Sequence, residues 1–170
     1  DCDLLPRQLS SCYTGVFMEN IVAGLGTDKE HQTRYLSNDP HHPCDVVHEK
    51  YKDSCYFYQT SRMVQIFNGD FAKVAQTCLT APEPYQHSCF VSMGRDIGGH
   101  NPGNTEGAIK ECANAPLGGA RTGCLVGAVQ DAFWDPKGAD TALAFCRLLE
   151  SYEEKDACYS TIMARALQVL

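Results

Sequence analysis

The chain has 170 residues, 44% of them hydrophobic, which is the composition of a globular protein and the length of one domain. Its net charge of −7 disfavours a nucleic-acid partner, because no basic surface would displace the counterions of a phosphate backbone. No apolar run approaches the roughly 20 residues that a membrane-spanning helix needs. We therefore expect neither nucleic-acid binding nor a membrane span.

The ten cysteines are the strongest signal in the sequence. None forms a Cys-x-x-Cys motif, and no group of cysteines and histidines has the spacing of a zinc finger. An even number of regularly spaced cysteines instead predicts a disulfide framework, which requires an oxidising compartment. We expect a protein without a cofactor that is secreted, on the cell surface or in the periplasm. The first residue is Asp1 rather than methionine, as expected after removal of a signal peptide.

The spacing of these cysteines is periodic. The two members of successive pairs are 10, 11, 11, 12 and 12 residues apart, and the first members of the pairs are 42, 34, 34 and 34 residues apart. A period near 34 is typical of stacked two-helix repeats, and pairing inside each unit gives all units the same geometry. The predicted disulfides are Cys2–Cys12, Cys44–Cys55, Cys78–Cys89, Cys112–Cys124 and Cys146–Cys158. The predicted fold is an all-α, right-handed helical-repeat solenoid of about five two-helix units, with one disulfide per unit, in a single domain over 1–170.

The first two units, 1–43 and 44–69, are irregular. Only Asp1 precedes Cys2, so the first unit lacks its leading helix. Pro40 and Pro43 forbid a regular helix leading into Cys44. We therefore predict a long loop, or a short helix with loops, from Leu25 to Pro43. A segment of this kind is either a functional loop or a tolerated insertion.

The units 70–103, 104–137 and 138–170 are regular. Each is predicted to begin with a short helix whose N-cap is, in turn, Asp70, Asn104 and Asp140. In the first of them the chain then bends through Pro82 and Pro84, and a second helix starts near Cys89. The stretches 98–103 and 135–138 are rich in glycine and proline and are predicted breaks between units.

A hydrophobic stripe follows the second cysteine of each pair. Positions 1, 4, 5 and 8 residues after that cysteine have helical spacing, and position 1 is always aromatic or leucine. In order, position 1 is occupied by Tyr13, Tyr56, Phe90, Leu125 and Tyr159. We interpret this stripe as the packing face of the longer helix.

A second strip runs beside the first, at positions 3, 6 and 7 after the same cysteine. It combines small and charged residues, and we interpret it as a shallow groove that binds a peptide or a protein. The predicted binding residues are Glu19, Tyr58, Arg62, Arg95, Asp96, Gln130, Asp131 and Arg165. The alternative is a solvated helix face, or salt bridges between adjacent units such as Glu19 with Arg62. On either interpretation Arg95 is expected to lie on the outside, where its removal changes stability by about 0.5 kcal/mol or less.

Catalytic and metal-binding signals are weak. No Gly-x-Ser-x-Gly elbow is present, a cysteine in a disulfide cannot act as a nucleophile, and Glu153 and Glu154 diverge on a helix. His41 and His42, beside Asp39 and Asp45, could contribute to a metal site, but adjacent histidines point apart on most backbones. We therefore predict no catalytic residue and no metal ligand.

Paired cysteines at this period, with a glycine-rich break and a capped short helix between them, resemble the Sel1-like repeats of the tetratricopeptide-like superfamily. The similarity is greatest to the secreted, cysteine-rich Sel1-type proteins of bacteria, and it covers 44–170 well and 1–43 loosely. The resemblance implies that the helix at the second cysteine lines a concave groove that holds other proteins. It also implies that enzymatic activity is exceptional, although a few cysteine-rich members bind or hydrolyse β-lactams weakly.

The leading functional prediction is a non-catalytic structural or protein-interaction module outside the cytoplasm. Its partner would be a second copy of itself or another extracytoplasmic protein. The missing helix before Cys2 and the apolar residues Leu167 and Leu170 predict head-to-tail self-association, which forms a filament unless it closes into a ring. The alternatives are a small-molecule binder or hydrolase of the cysteine-rich Sel1-like type, and a metal-binding protein that uses His41 and His42.

Overall fold

The computed structural model describes residues 2–4, 9–22, 25, 36–133 and 138–169. Within these ranges the protein is all-helical, as predicted, and contains eight α-helices. They are α1 (Leu9–Phe17), α2 (Glu49–Ile66), α3 (Phe71–Cys78), α4 (Glu83–His100), α5 (Thr105–Cys112), α6 (Gly119–Ala132), α7 (Gly138–Leu148) and α8 (Tyr152–Val169). A short 3-10 helix, Cys2–Leu4, precedes α1, and a π-helical turn, Met18–Val22, continues it.

The long helices pack in chain order. Helix α1 contacts α2, α2 contacts α4, α4 contacts α6, and α6 contacts α8. The short helices α3, α5 and α7 each pack against the long helices beside them. The right-handed solenoid of five units stays a prediction. No helix in the described ranges is long and apolar enough to cross a membrane.

Five disulfides connect neighbouring elements. They join the same pairs that the spacing predicts, namely Cys2–Cys12, Cys44–Cys55, Cys78–Cys89, Cys112–Cys124 and Cys146–Cys158. A closed loop of this length contributes on the order of 2–3 kcal/mol by restricting the unfolded chain. So many disulfides in one chain are typical of an oxidising, extracellular setting.

The long helices begin about six residues earlier than predicted. Helix α4 starts at Glu83 rather than near Cys89. Pro82 is its N-cap and Pro84 lies in its first turn, where the missing N–H of proline costs nothing because that donor has no partner inside the helix. The two prolines therefore start the helix instead of bending the chain before it.

The predicted break at 98–103 is also partly wrong, because α4 continues through Gly98 and Gly99 to His100. Gly98 is needed for packing: a Cβ atom on it would lie 2.8 Å from the Cβ atom of Asp131 on α6. The same interface uses Gly94, where an added Cβ would lie 1.8 Å from the carbonyl oxygen of Cys124. The glycines of α4 therefore allow two helix backbones to approach closely.

The caps of the short helices follow the sequence in two cases out of three. The side chain of Asp70 accepts a hydrogen bond from the backbone N–H of Lys73, and that of Asn104 accepts one from Gly107 at 3.0 Å. The N-caps predicted for α3 and α5 are therefore the ones that the structure has. Asp140 is not a cap, because α7 begins at Gly138 and Asp140 lies in its first turn. There its negative charge still stabilises the helix by interacting with the positive end of the helix dipole.

The hydrophobic stripe forms the core of the middle helices. Tyr56, Phe90 and Leu125 are fully buried in one cluster that also contains all the cysteines from Cys44 to Cys158. The corresponding residue of α8, Tyr159, is 37% exposed. The stripe is thus covered on α2, α4 and α6 and partly uncovered on α8.

The segment 36–48 contains no α-helix, in agreement with its two prolines. It forms turns, includes a cis peptide bond between His42 and Pro43, and is held against α2. The amide of Gln59 donates to the carbonyl oxygens of Pro40 and His42, both at 2.8 Å. Gln59 lies four residues after Cys55, in the hydrophobic stripe, and is completely buried. A polar residue is tolerated there because the segment 36–48, and not another helix, provides its hydrogen-bond partners.

Candidate functional site

A polar network joins α2 to α4 at the start of the predicted groove. The carboxylate of Asp96 accepts hydrogen bonds from the hydroxyl of Thr60 at 2.7 Å and from that of Ser61 at 2.9 Å. Thr60 also shares a hydrogen bond with Ser92, and both of these side chains are completely buried. Both carboxylate oxygens are therefore occupied, and the network fixes the register of two long helices.

Arg95 is the hub of this network and not an outer residue. Its guanidinium donates to the carbonyl oxygen of Phe57 at 2.8 Å, to the hydroxyl of Ser61 at 3.0 Å and to Asp96 at 3.0 Å. It also lies 4.4 Å above the ring of Tyr58. A fork of donors with a cation–π contact is the geometry that favours arginine over lysine. The predicted outer position of Arg95 is therefore wrong, and we no longer expect its removal to be neutral.

Arg62, one helix earlier, binds a non-helical piece of the protein's own chain. Its Nε donates to the carbonyl oxygen of Ser37 at 2.9 Å, and a terminal nitrogen donates to the side chain of Asn38 at 3.1 Å. It also contacts Gln65 in its own helix. Arg62 thus anchors the segment before α2.

Two open depressions lie between the long helices. The first has a volume of about 380 Å³ and is lined by Leu25, Ser61, Val64, Arg95, Asp96, Gly99, His100 and Asp131. The second also has about 380 Å³ and is lined by Gln130, Ser160, Thr161, Ala164 and Arg165. Five of the predicted binding residues therefore line depressions. We call the surface formed by these two depressions the polar lane.

The lane is narrower than predicted. Ser92 and Gly127, three residues after their cysteines, are buried between helices instead of lining the groove. An added Cβ atom on Gly127 would lie 2.0 Å from the carbonyl oxygen of Val91. On α4 and α6, position 3 therefore contacts the preceding long helix and does not reach the lane, whereas Thr161, at position 3 of α8, lines the second depression.

The remaining predicted residues lie elsewhere. Glu19 is exposed on the π-helical turn after α1, Tyr58 is half-buried beneath Arg95, and Leu167 is exposed on α8. Leu170 lies outside the described residues. The structure therefore brings Arg95, Asp96 and Asp131 together in the first depression and Gln130 and Arg165 in the second, and Glu19 and Leu167 line neither.

The side chains of His41 and His42 contact different residues. Nε2 of His41 lies 2.9 Å from the hydroxyl of Thr80, and its Nδ1 lies 3.4 Å from the hydroxyl of Tyr56. His42 instead lies 3.6 Å from Asp45. No group of three or more metal-ligating side chains occurs within the described ranges.

Burial, reinforced by the nearby carboxylates of the same segment, raises the pKa of Tyr56 to about 12.

Two features had little or no signal in the sequence. Glu154 is buried on α8, where it pairs with Arg121 of α6 at 3.0 Å, although its position beside Glu153 predicts a solvated carboxylate. His100 joins the first depression because α4 runs further than predicted, and its ring packs edge-on against Phe71.

An apolar cavity of about 270 Å³ also lies between α1 and the segment 36–47. A small-molecule binder would use such a cavity.

Comparison with protein-family models, with curated proteins and with solved structures finds no match for this chain. The resemblance to Sel1-like repeats stays a prediction.

Proposed function

We propose that the protein is a non-catalytic interaction module of an oxidising, extracytoplasmic compartment, and that it binds an extended polypeptide along the polar lane. The observation that carries this proposal is the position of the two depressions. Both are open, both lie between consecutive long helices, and both are lined by residues at positions 6 and 7 after the cysteines. A surface of this shape suits a long, thin ligand better than a compact one.

The protein's own segment 37–38 supports the choice of a polypeptide ligand. It lies against α2, and Arg62, at position 7, binds its backbone carbonyl and a short polar side chain. Position 7 on the following helices is occupied by Asp96, Asp131 and Arg165. A polypeptide that crosses these helices would meet charged side chains at one regular spacing.

The occupied state of Asp96 supports a binding role over a catalytic one. Both of its oxygens accept hydrogen bonds from the protein, whereas a general acid or base must reach a proton of the substrate. Its role is to hold α2 and α4 in register beneath the lane.

A random peptide library displayed on phage, panned against the oxidised protein, tests the lane. The dissociation constants of the enriched peptides are then measured by calorimetry. We expect the double variant His100→Ala/Gln130→Ala, with one change in each depression, to bind them about tenfold more weakly. Gln76→Ala, an exposed glutamine on α3, is the matched control and leaves binding unchanged. Equal binding by all three proteins, or no enrichment, would refute the lane.

Self-association is a second candidate function, favoured by a separate observation. Helix α8 exposes an apolar strip formed by Tyr159, Met163 and Leu167, which are 37%, 67% and 74% exposed. The residues at the first two of these positions on α4, Phe90 and Gly94, are buried under α6. Helix α8 therefore exposes the face that is buried on α4. We propose that a second copy of the protein covers this face. Analytical ultracentrifugation of the oxidised protein tests this: Leu167→Asp should weaken the association, and a wild-type protein that stays monomeric at all concentrations overturns it.

A further inference from the structure

We propose that the apolar cavity between α1 and the segment 36–47 binds a small, uncharged aromatic molecule of about two fused rings that carries an N–H or O–H group. The cavity has a volume of about 270 Å³. In the described part of the chain it shares no lining residue with the polar lane or with the exposed strip of α8. It is therefore a binding site in addition to the surfaces used by the functions proposed above.

The lining of the cavity sets the polarity of the ligand. Among the described residues that line it, six are apolar and one, Asn20, is polar. None of them is charged, so a charged group placed inside would lose its hydration without gaining a partner. Apolar walls with very few polar groups are typical of sites for small molecules. The ligand is therefore uncharged and mostly apolar.

The cavity leads from the surface of the protein into its core. Val16, on one side, is 47% exposed, whereas Ile21, on another, is 1% exposed and belongs to the hydrophobic core. Phe17 packs against the same core and offers its ring to a molecule in the cavity. Aromatic rings pack favourably against one another when edge-on or offset. An aromatic ligand is therefore favoured over an aliphatic chain.

The volume of the cavity sets the size of the ligand. A cavity of about 150 Å³ lined by leucine, isoleucine and phenylalanine holds one molecule of benzene. The cavity beside α1 is almost twice as large, which gives room for two fused rings.

Both walls of the cavity are held in place by α2. The segment 36–47 is tied to α2 by the disulfide Cys44–Cys55 and by two hydrogen bonds from the buried amide of Gln59. Helix α1 and the π-helical turn after it also contact α2. Protein interiors contain few voids larger than a water molecule, because an empty cavity lowers stability. A larger cavity between two supported walls is thus preformed for a ligand.

Asn20 provides the acceptor for the N–H or O–H group. Its amide nitrogen donates to the carbonyl oxygen of Val16 at 2.8 Å, which fixes the orientation of the amide. The amide oxygen accepts no hydrogen bond from the other described residues, so a donor on the ligand can bind there. Asn20 also lies in the π-helical turn Met18–Val22, and such turns occur frequently at functional sites.

Titration of the oxidised, isotope-labelled protein with indole, followed by nuclear magnetic resonance, tests the site. Indole is uncharged, has two fused rings and carries one N–H group. We expect one molecule to bind per protein with a dissociation constant of about 1 mM or lower. The largest chemical-shift changes should occur at the backbone amides of Val16, Phe17 and Val47. Changes confined to the residues of the polar lane, or changes that do not saturate, would overturn the site.

A charge placed on the lining tests the position of the ligand. Val16→Asp should weaken the binding of indole at least about tenfold. Val46→Asp is the matched control, because Val46 is 67% exposed and does not line the cavity, and it should bind indole as the wild type does. Both positions are open to solvent, so both variants should keep the circular dichroism spectrum and the unfolding midpoint of the wild type. Equal binding by the two variants would place indole outside the cavity.

Two related ligands test the chemistry of the site. N-methylindole lacks the N–H group and should bind about threefold or more weakly than indole, and Asn20→Leu should remove this difference. Indoleacetate carries a negative charge and should bind at least about tenfold more weakly than indole. Equal affinities of the wild type for indole and N-methylindole would overturn the hydrogen bond to Asn20. Equal affinities for indole and indoleacetate would overturn the uncharged class of ligand.

Discussion

Replacing Gly94 with alanine measures how strictly the fold depends on the close approach of α4 and α6. The new Cβ atom would lie 1.8 Å from the carbonyl oxygen of Cys124 and 2.9 Å from the backbone nitrogen of Ala128. Carbon atoms in ordinary contact with their neighbours stand roughly 3.5–4.0 Å apart. Both obstacles are backbone atoms that cannot rotate away, so the two helices must separate.

Two opposing effects decide the magnitude. Helix propensity alone favours alanine over glycine by about 1 kcal/mol. Overpacking of a well-packed interior typically costs about 1–3 kcal/mol and sometimes more, and a clash with backbone belongs at the upper end of this range. We therefore expect Gly94→Ala to lower the free energy of unfolding by about 2 kcal/mol or more.

Urea denaturation of the oxidised protein, followed by circular dichroism and extrapolated linearly to water, gives this free energy. Gly99→Ala is the matched control, because Gly99 lies in the same helix and an added Cβ meets no atom of the described residues within 4 Å. It should leave stability unchanged or raise it by up to about 1 kcal/mol. If Gly94→Ala is as stable as Gly99→Ala, the helices do not pack as closely as described.

The other predictions concern Arg95 and Tyr56. Arg95→Ala should lower the free energy of unfolding by about 2–3 kcal/mol, because it removes charge-assisted hydrogen bonds and leaves the Asp96 carboxylate without a neighbouring positive charge. Arg147→Ala, an exposed arginine on α7, should change it by less than about 0.5 kcal/mol, and equal effects in urea denaturation would contradict the network. Because burial raises the pKa of Tyr56 to about 12, its neutral form is favoured in the folded state and stability should fall as the pH rises from about 10 to 12. The ultraviolet difference titration of the wild-type protein against Tyr56→Phe should show one phenol ionising near pH 12, and ionisation near pH 10 would place Tyr56 in water.

The disulfides and the packing stripe were the most predictable features, because both follow from spacing. Cysteines that recur at one period have the same local geometry in every unit, and Tyr56, Phe90 and Leu125 share one position relative to them. A face defined by helical spacing needs no knowledge of what covers it. The same reasoning could not tell that Tyr159 would be only partly covered, since that depends on the next element in space.

The polar lane was predictable only in part, since the sequence does not say how close two helices lie. A strip of small and charged residues fits a solvated surface as well as a helix interface. Gly127 belongs to the interface because α4 approaches it closely, and Arg95 turns back over Phe57 and Tyr58 instead of reaching solvent. The start of α4 was misplaced for a simpler reason: prolines that end one helix also begin another.

The five disulfides have a consequence for oxidative folding. For each cysteine of the chain, the cysteine nearest in sequence is also its partner in the structure. The entropic cost of closing a loop grows with its length, so thiols in the unfolded chain meet their correct partners more often than any others. When the chain enters the oxidising compartment with its N-terminus first, each disulfide can therefore form before the cysteines of the next pair have entered. We expect a protein crosslinked in this way to reach its native pairing with little disulfide reshuffling.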